Sequence, residues 1–461
     1  MSPSPSDQDI QTTATDVYVF GYPLVLADIT RQSQTNTVHV TDELAPVNQF
    51  CHHSKLPDPD MKIVVRPNLD TFYSQAWLDL TAEPLVLSVP VMDDDPDQPR
   101  YWLMQMMDFW TNTVQDPSSL VPLIASQDGS PYNYLITGPG WQGVVPADTI
   151  QLAVPTDTLW IVGRTEVRSG EQSEIDTVTG YQQQMKLIPL SHWSDPDGYV
   201  PPDGTYDPDL PTDAPADQIA AMDGRTFFDR LKALLATTPP SPADAAITAD
   251  LAAIGLLPGS SQPLPDDTVL DQAVSDGKNT IANWPQPDPV NGWNLTTTDI
   301  GTYGTDYGQR AYIALTALGA NLPNDALYPS TAAPTADPDG NPIRYTLKFD
   351  ADDFPVNAFW SLTAYNEQGF LIPNNPDGNP DTDDSVYSIG HRNPVPSRDP
   401  DDHSLTLYIQ YDNPGDSVPV GNWLPIGDTD TFTLMLRLYA PQTAKITPLG
   451  PWKPPPLTPT T

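Results

Sequence analysis

Two stretches near the C-terminal end decide the fold of this chain: SLTLYIQY, residues 404–411, and TFTLMLRLY, residues 431–439. In the first, Leu405, Leu407, Ile409 and Tyr411 fall on alternate positions; in the second, Phe432, Leu434, Leu436 and Leu438 do. Successive side chains of an extended backbone point to opposite faces, so this period of two predicts half-buried strands. Arg437 alternates away from the apolar face and is expected to pair an acid at a domain contact or an oligomer interface. The same β character extends over 343–440 and recurs over 61–190. There PLVLSVP (84–90), YWLMQMMD (101–108) and TLWIVGR (158–164) form short runs, with a turn cluster at GPGWQG (138–143). Between the β blocks lies a Pro/Asp/Gly loop (191–215), followed by helical periodicity over 216–320. Ile219, Met222, Phe227, Leu231, Leu234 and Leu235 mark one helix, and SPAD (241–244) reads as the start of the next. Further helices are expected over 266–283 and 305–319, and one over 9–35 that Pro23 kinks or divides. The tail KPPPLTPTT (453–461) predicts an irregular, polyproline-like strap.

Helix, β block, helical block, β block is not the alternation of a parallel α/β fold. It predicts a mainly β protein with α additions: two jelly-roll-like β-sandwich domains, an N-terminal helix and a helical insertion between them. The expected divisions are 1–47, 48–190, 191–328 and 329–461.

Composition narrows the function classes. Lys plus Arg number 20 against 60 Asp plus Glu, a formal charge of −40. Such a surface repels phosphate, which excludes nucleic acid and disfavours anionic membranes. Proline at 55 residues favours disorder, but a hydrophobic content of 38 % with 11 Trp, 19 Tyr and 11 Phe supplies a core. The single cysteine, Cys51, excludes an internal disulfide framework and a thiolate zinc site. MSPSPSDQDIQ has no signal-peptide pattern, and the apolar run Val17–Ile29 is too short for a span. A soluble protein follows, either cytoplasmic or a mature exported form. The acid excess fits a high-salt habitat or plain Asp/Pro loop composition.

The motifs also resemble a known pair of domains. NQFCHHSKLPDPD (48–60), VVRPNLDTFYSQAWLDL (64–80), EPLVLSVP (83–90), MMDFWTNT (106–113), GPGWQG (138–143) and VGRTEV (162–167) resemble domain-of-unknown-function family 1254. FWSLTAYNEQGFLIPNN (359–375), YSIGHRNP (387–394), NWLP (422–425), LRLYAP (436–441) and GPWKPPPL (450–457) resemble its companion, family 1214. The likeness, to a two-domain bacterial family, covers nearly the whole chain. It implies paired jelly-roll domains with helical additions, loosely similar to double jelly-roll capsid subunits, and assigns no activity. The stretch VQDPSSLVPLIASQDGSPYN (114–133) departs from the Gly/Arg/Thr-rich turn of many members, so a pocket shaped by that turn would differ here.

Candidate ligand-binding residues concentrate in one segment: His52, Arg66, Asn68, Asp70 and Tyr73, with Asp108 nearby in the pattern. His52 would serve as base or donor, Arg66 as an anion clamp, and Asp70 and Asp108 would orient them. The competing reading is a turn in which Asn68 and Asp70 bond backbone amides and Arg66 is buried against Asp70. His52 and His53 are adjacent and point apart on a strand, which disfavours a shared metal, and none is predicted. Calcium is conceivable in the 374–384 loop through Asp377, Asn379, Asp381 and Asp383, against a simply solvated acidic loop. Cys51 beside His52 is better read as a buried thiol than as a catalytic pair, and the chain carries no nucleophile elbow, P-loop or dinucleotide fingerprint. The Trp residues can stack on sugars but are expected to fill the cores. These features favour a small-molecule binder or enzyme with its pocket in the first β domain or the domain cleft. The alternative is a structural, self-assembling homo-oligomer without catalysis.

Overall fold

The computed structural model describes all residues except 1–6, 63–64, 93, 96–97, 125–128, 352–353, 375–384, 392–394, 428 and 461. In chain order the elements are α1 (Asp7–Thr35), β1 (Cys51–His52), β2 (Thr71–Asp79), β3 (Leu85–Val89), β4 (Trp102–Asp108), β5 (Thr113–Gln115), β6 (Tyr132–Thr137), β7 (Ile150–Ala153), β8 (Thr158–Glu166), α2 (Gln172–Gln182) and β9 (Lys186–Pro189). The helical block holds α3 (Pro215–Ala220), α4 (Gly224–Leu235), α5 (Ala245–Ala253), α6 (Asp267–Ala282) and α7 (Tyr307–Ala317). The second β block comprises β10 (Ala326–Leu327), β11 (Ser330–Pro334), β12 (Arg344–Phe349), β13 (Trp360–Asn366), β14 (Ser388–Gly390), β15 (Leu405–Gln410), β16 (Trp423–Pro425), β17 (Thr431–Tyr439) and β18 (Thr458–Thr460).

The expected class holds: the fold is mainly β with α additions. In the first sandwich, the sheet β1-β2-β8-β4-β5 faces the sheet β7-β6-β3-β9. Leu85, Leu87, Trp102, Met104, Tyr134 and Ile161 interdigitate between them. In the second, β10-β17-β13-β14, with β11 on β17, faces β16-β15-β12-β18 across Leu347, Leu362, Leu407, Ile409, Leu434 and Leu436. The period-two face quoted above is therefore core, except Tyr411, which lies past the end of β15 and is exposed. The β6–β7 and β15–β16 pairs run parallel, so these sheets are sandwiches without an all-antiparallel ladder.

Helix α1 is not divided at Pro23. It is one continuous helix, and every residue from 17 to 30 is buried. Its surroundings explain this: α3 to α7 pack around it, together with the outer face of the first sandwich. Gly21 makes the approach possible, because a Cβ there would lie 2.4 Å from Leu231 Cδ2. Aspartates start the helices that follow. Asp223, Asp266 and Asp306 accept hydrogen bonds from Thr226, Val269 and Gln309 amides, satisfying donors that helix starts leave free. Two further expectations change. Helix α2 interrupts the stretch read as β throughout 61–190. The Pro-rich tail ends in a strand, β18, paired antiparallel with β12. Before it, the carbonyls of Pro454 and Pro455 accept from Asn291 Nδ2 and Trp293 Nε1.

The five-stranded sheet is buried on both sides. One end of its outer face, at Trp77, Trp160 and Met107, packs on the helices. The other end, at Tyr101 and Leu103, packs on Phe359 and Tyr439 of the second sandwich. Between these apolar contacts the face is polar.

Candidate functional site

Strand alternation builds this polar centre. Tyr73 on β2, Arg164 on β8 and Gln105 on β4 share the outer face, since Tyr73 pairs with Arg164 and Leu103 in turn pairs with Arg164. On the opposing sheet, Ser361, Thr363 and Tyr365 of β13 and Arg437 and Tyr439 of β17 alternate away from their own core. The turn at 66–70 lies between the two sandwiches. Asn68 Oδ1 accepts from the Asp70 amide at 2.7 Å, the Asx turn expected of this motif. Asp70 Oδ2 accepts from Ser361 Oγ at 2.5 Å and from Tyr439 Oη at 3.2 Å. Arg437 donates to Tyr365 Oη at 2.7 Å, to Thr363 Oγ1 at 3.0 Å and to the Arg66 carbonyl at 3.1 Å. On the helical side, Arg164 donates to Gln105 Oε1 at 2.7 Å, and Tyr328 donates to Asn321 Oδ1 at 2.8 Å.

Arg164 is 6 % exposed and makes no ion pair among the described residues. Its Nε is buried with no hydrogen-bond partner. Its guanidinium stacks 5.2 Å from the centre of the Tyr73 ring. Tyr73, Asn68 and Tyr328 are half-buried within this polar centre. Burial would raise the Tyr73 phenol, but the Arg164 charge, hydrogen bonds from Asn68 and Arg164, and the Arg437 charge hold it below the ordinary phenol range. Tyr328 goes the other way, pushed up to about 12 chiefly by burial. Asp325 stands beside this group. Burial, and then the Asp116 charge, push its carboxyl up to about 7, and its Oδ2 is buried without a partner.

The structure therefore brings together Asn68, Asp70 and Tyr73, and separates the other candidates. Arg66 corrects the expectation that it is buried against Asp70: its side chain is exposed, its φ is 52°, and only its carbonyl reaches the centre. The arginine near Asp70 is Arg437. His52 faces the opposite side of the sheet from Tyr73; its Nδ1 meets Ser74 Oγ at 2.9 Å, and burial lowers its pKa to about 4. Asp108 lies at the helical end, bonded to Asn112, and burial raises it to about 6. Cys51 Sγ donates to the Thr41 carbonyl at 3.5 Å and lies 3.9 Å from His53 Nε2 rather than pairing with His52, and burial raises the thiol to about 11, so it is not a thiolate. The candidate calcium ligands Asp377, Asn379, Asp381 and Asp383 lie outside the described residues. Among the described residues no three His, Cys, Asp or Glu side chains are grouped to hold a metal ion. Arg164, Tyr328 and Tyr439 were not singled out by sequence. The available signal was an arginine inside TLWIVGR, a strand whose remaining residues are almost all buried.

A pocket of about 200 Å³ lies between the sandwiches, lined by Leu56, Leu69, Ser169, Tyr387, Ile389 and neighbours. Among the described residues no Lys, Arg, Asp or Glu lines it.

With this architecture in view, the family follows. The first sandwich coincides with the family model "Protein of unknown function (DUF1254)" over residues 47–189. The second coincides with "Protein of unknown function (DUF1214)" over residues 325–443. The chain belongs to the family that combines these two domains in this order. No curated protein matches it. The crystal structure of the VPA0106 protein from Vibrio parahaemolyticus shares 22 % identity and a TM-score of 0.66, covering 98 % of this chain and all 100 % of that one. That likeness shows the fold. An uncharacterized protein from Burkholderia cenocepacia gives 12 % identity and a TM-score of 0.43, over 98 % of this chain and 94 % of that one. Among the described residues no helix is long and apolar enough to cross a membrane.

Proposed function

We propose that the chain binds a small organic carboxylate at the polar centre between the two β domains and the helical block. The observation that carries this reading is Arg164: a buried guanidinium with no carboxylate partner and an unused Nε–H, stacked on Tyr73. Burying an unpaired charge costs several kcal/mol, roughly, so a fold that retains one gains from an anion that completes it. A carboxylate matches the planar guanidinium fork, and the tyrosine rings favour an organic body over a hydrated inorganic ion. Asn68 and Tyr73 would orient the ligand, and Asp70 would fix Arg437 and Tyr439 around it.

The test is thermal melting of the full chain in malonate and in chloride at matched ionic strength. Wild type should melt higher in malonate; saturation at 100 times the dissociation constant contributes about 2.7 kcal/mol. Arg164→Met should abolish the difference. An equal rise in wild type and variant would show that malonate acts elsewhere and would end this reading.

A further inference from the structure

The hydrogen-bond pattern around Tyr73 points to chemistry beyond binding. Tyr73 Oη accepts from Asn68 Nδ2 at 3.1 Å. The Asn68 amide cannot be turned over, because Oδ1 already accepts from the Asp70 amide and Nδ2 also donates to Thr71 Oγ1 at 2.9 Å. The second polar neighbour, Arg164, carries only donors. Among the described residues no carbonyl or carboxylate lies at hydrogen-bond distance to receive the hydrogen of Tyr73 itself. An oxygen surrounded by donors is built to carry a lone pair, and here it belongs to a half-buried side chain of the polar centre. The groups facing it from neighbouring elements are Arg164 on β8, Arg437 and Tyr439 on β17, Tyr328 after β10 and Asp70 before β2. The charges that act on it most directly are the two guanidiniums.

We propose that Tyr73 is the proton acceptor for a bound organic acid that carries an ionisable hydrogen next to its carboxylate. This rests on the carboxylate-binding reading above. The Tyr73 phenolate takes the hydrogen of a C–H or O–H bond. The electron pair of that bond stays on the ligand as an enolate or alkoxide, and Arg164 and Arg437 offset the new charge. The proton remains on Tyr73 Oη until it returns to the ligand or passes to solvent, so the step needs no oxidant or reductant. The Arg164 charge and the Asn68 donor, which hold the Tyr73 phenol below its ordinary range, favour the phenolate that this step needs.

Two measurements on the full chain test it. The first is the ultraviolet difference titration of wild type against Tyr73→Phe, without ligand. Wild type should form one more phenolate than the variant at pH values well below the ordinary tyrosine range. Curves that superpose there overturn the proposal and leave carboxylate binding untouched. If Tyr73→Phe does not fold, Arg164→Met takes its place, and the extra phenolate should move up to the ordinary range; an unmoved titration overturns the proposal. The second is hydrogen–deuterium exchange at the malonate methylene followed by NMR. Wild type should accelerate exchange by at least ~10²-fold over Tyr73→Phe when each is saturated with malonate. Equal exchange rates at saturation overturn the proton-acceptor role alone. A wild-type chain that melts alike in malonate and chloride overturns the binding reading, and this role with it.

Discussion

A guanidinium without a carboxylate is costly to bury, and Arg164 is one. Its removal should therefore not weaken the empty protein. Arg164→Met keeps the stem volume and deletes the charge, and Gln105 Oε1 retains Asn321 Nδ2 as a donor at 3.0 Å. The unliganded variant should melt at or above wild type, while the malonate response disappears; a large fall in unliganded melting would mean that Arg164 is scaffold. Asp325 makes a pH prediction. Its carboxyl rises from 3.8 to about 7 on folding, so its contribution is complete in acid and is lost as pH climbs through 7. Asp325→Asn should gain stability relative to wild type progressively between pH 4 and pH 7, read as the difference in melting temperature. A difference independent of pH would contradict this. His52 acts with the opposite sign. Its folded value of about 4 lies below the ordinary 6.5, so stability is complete above 6.5 and falls as pH drops toward 4. His52→Gln should flatten that acid loss.

At the scale of elements, the helices were largely legible because apolar spacing and Asp caps agree, as in α4 and α6. Helix α2 was missed because QSEIDTVTGYQ carries a weak apolar stripe, with only Val178 and Gln182 buried. Pro23 misled for another reason: a helix buried on every side is held by its neighbours whatever its local propensity. Strand β18 was hidden by proline, which an edge strand tolerates because one side of its backbone needs no ladder partner. Deleting residues 454–461 would bare the edge of β12 and leave Trp293 Nε1 without its acceptor, in a side chain 0 % exposed. An orphaned buried donor costs about 1–3 kcal/mol, so urea unfolding should shift by at least that much; an unchanged midpoint would show the tail to be a passive strap.

The whole molecule sets what sequence could reveal of the site. Asn68, Asp70 and Tyr73 lie within one motif and were legible together. His52 and Arg66 share that neighbourhood in sequence, but strand alternation and turn geometry send them elsewhere, and Asp108 sits at the far end of β4. Arg437 reaches the Arg66 carbonyl across 371 positions of chain, a juxtaposition that only tertiary packing creates. A charge of −40 adds an electrostatic setting: repulsion among surface carboxylates opposes compactness and keeps anions away from the buried arginines. Inert salt screens both effects, so potassium chloride should raise the melting temperature and strengthen malonate binding together. A salt-independent melting temperature would contradict the first expectation. The most direct test of a buried carboxylate site is calorimetric titration of the full chain with malonate and with malonamide, its uncharged analogue of similar shape. Saturable binding of malonate alone, lost in Arg164→Met, is the predicted result; equal binding of the two ligands, or binding that survives the substitution, would contradict it.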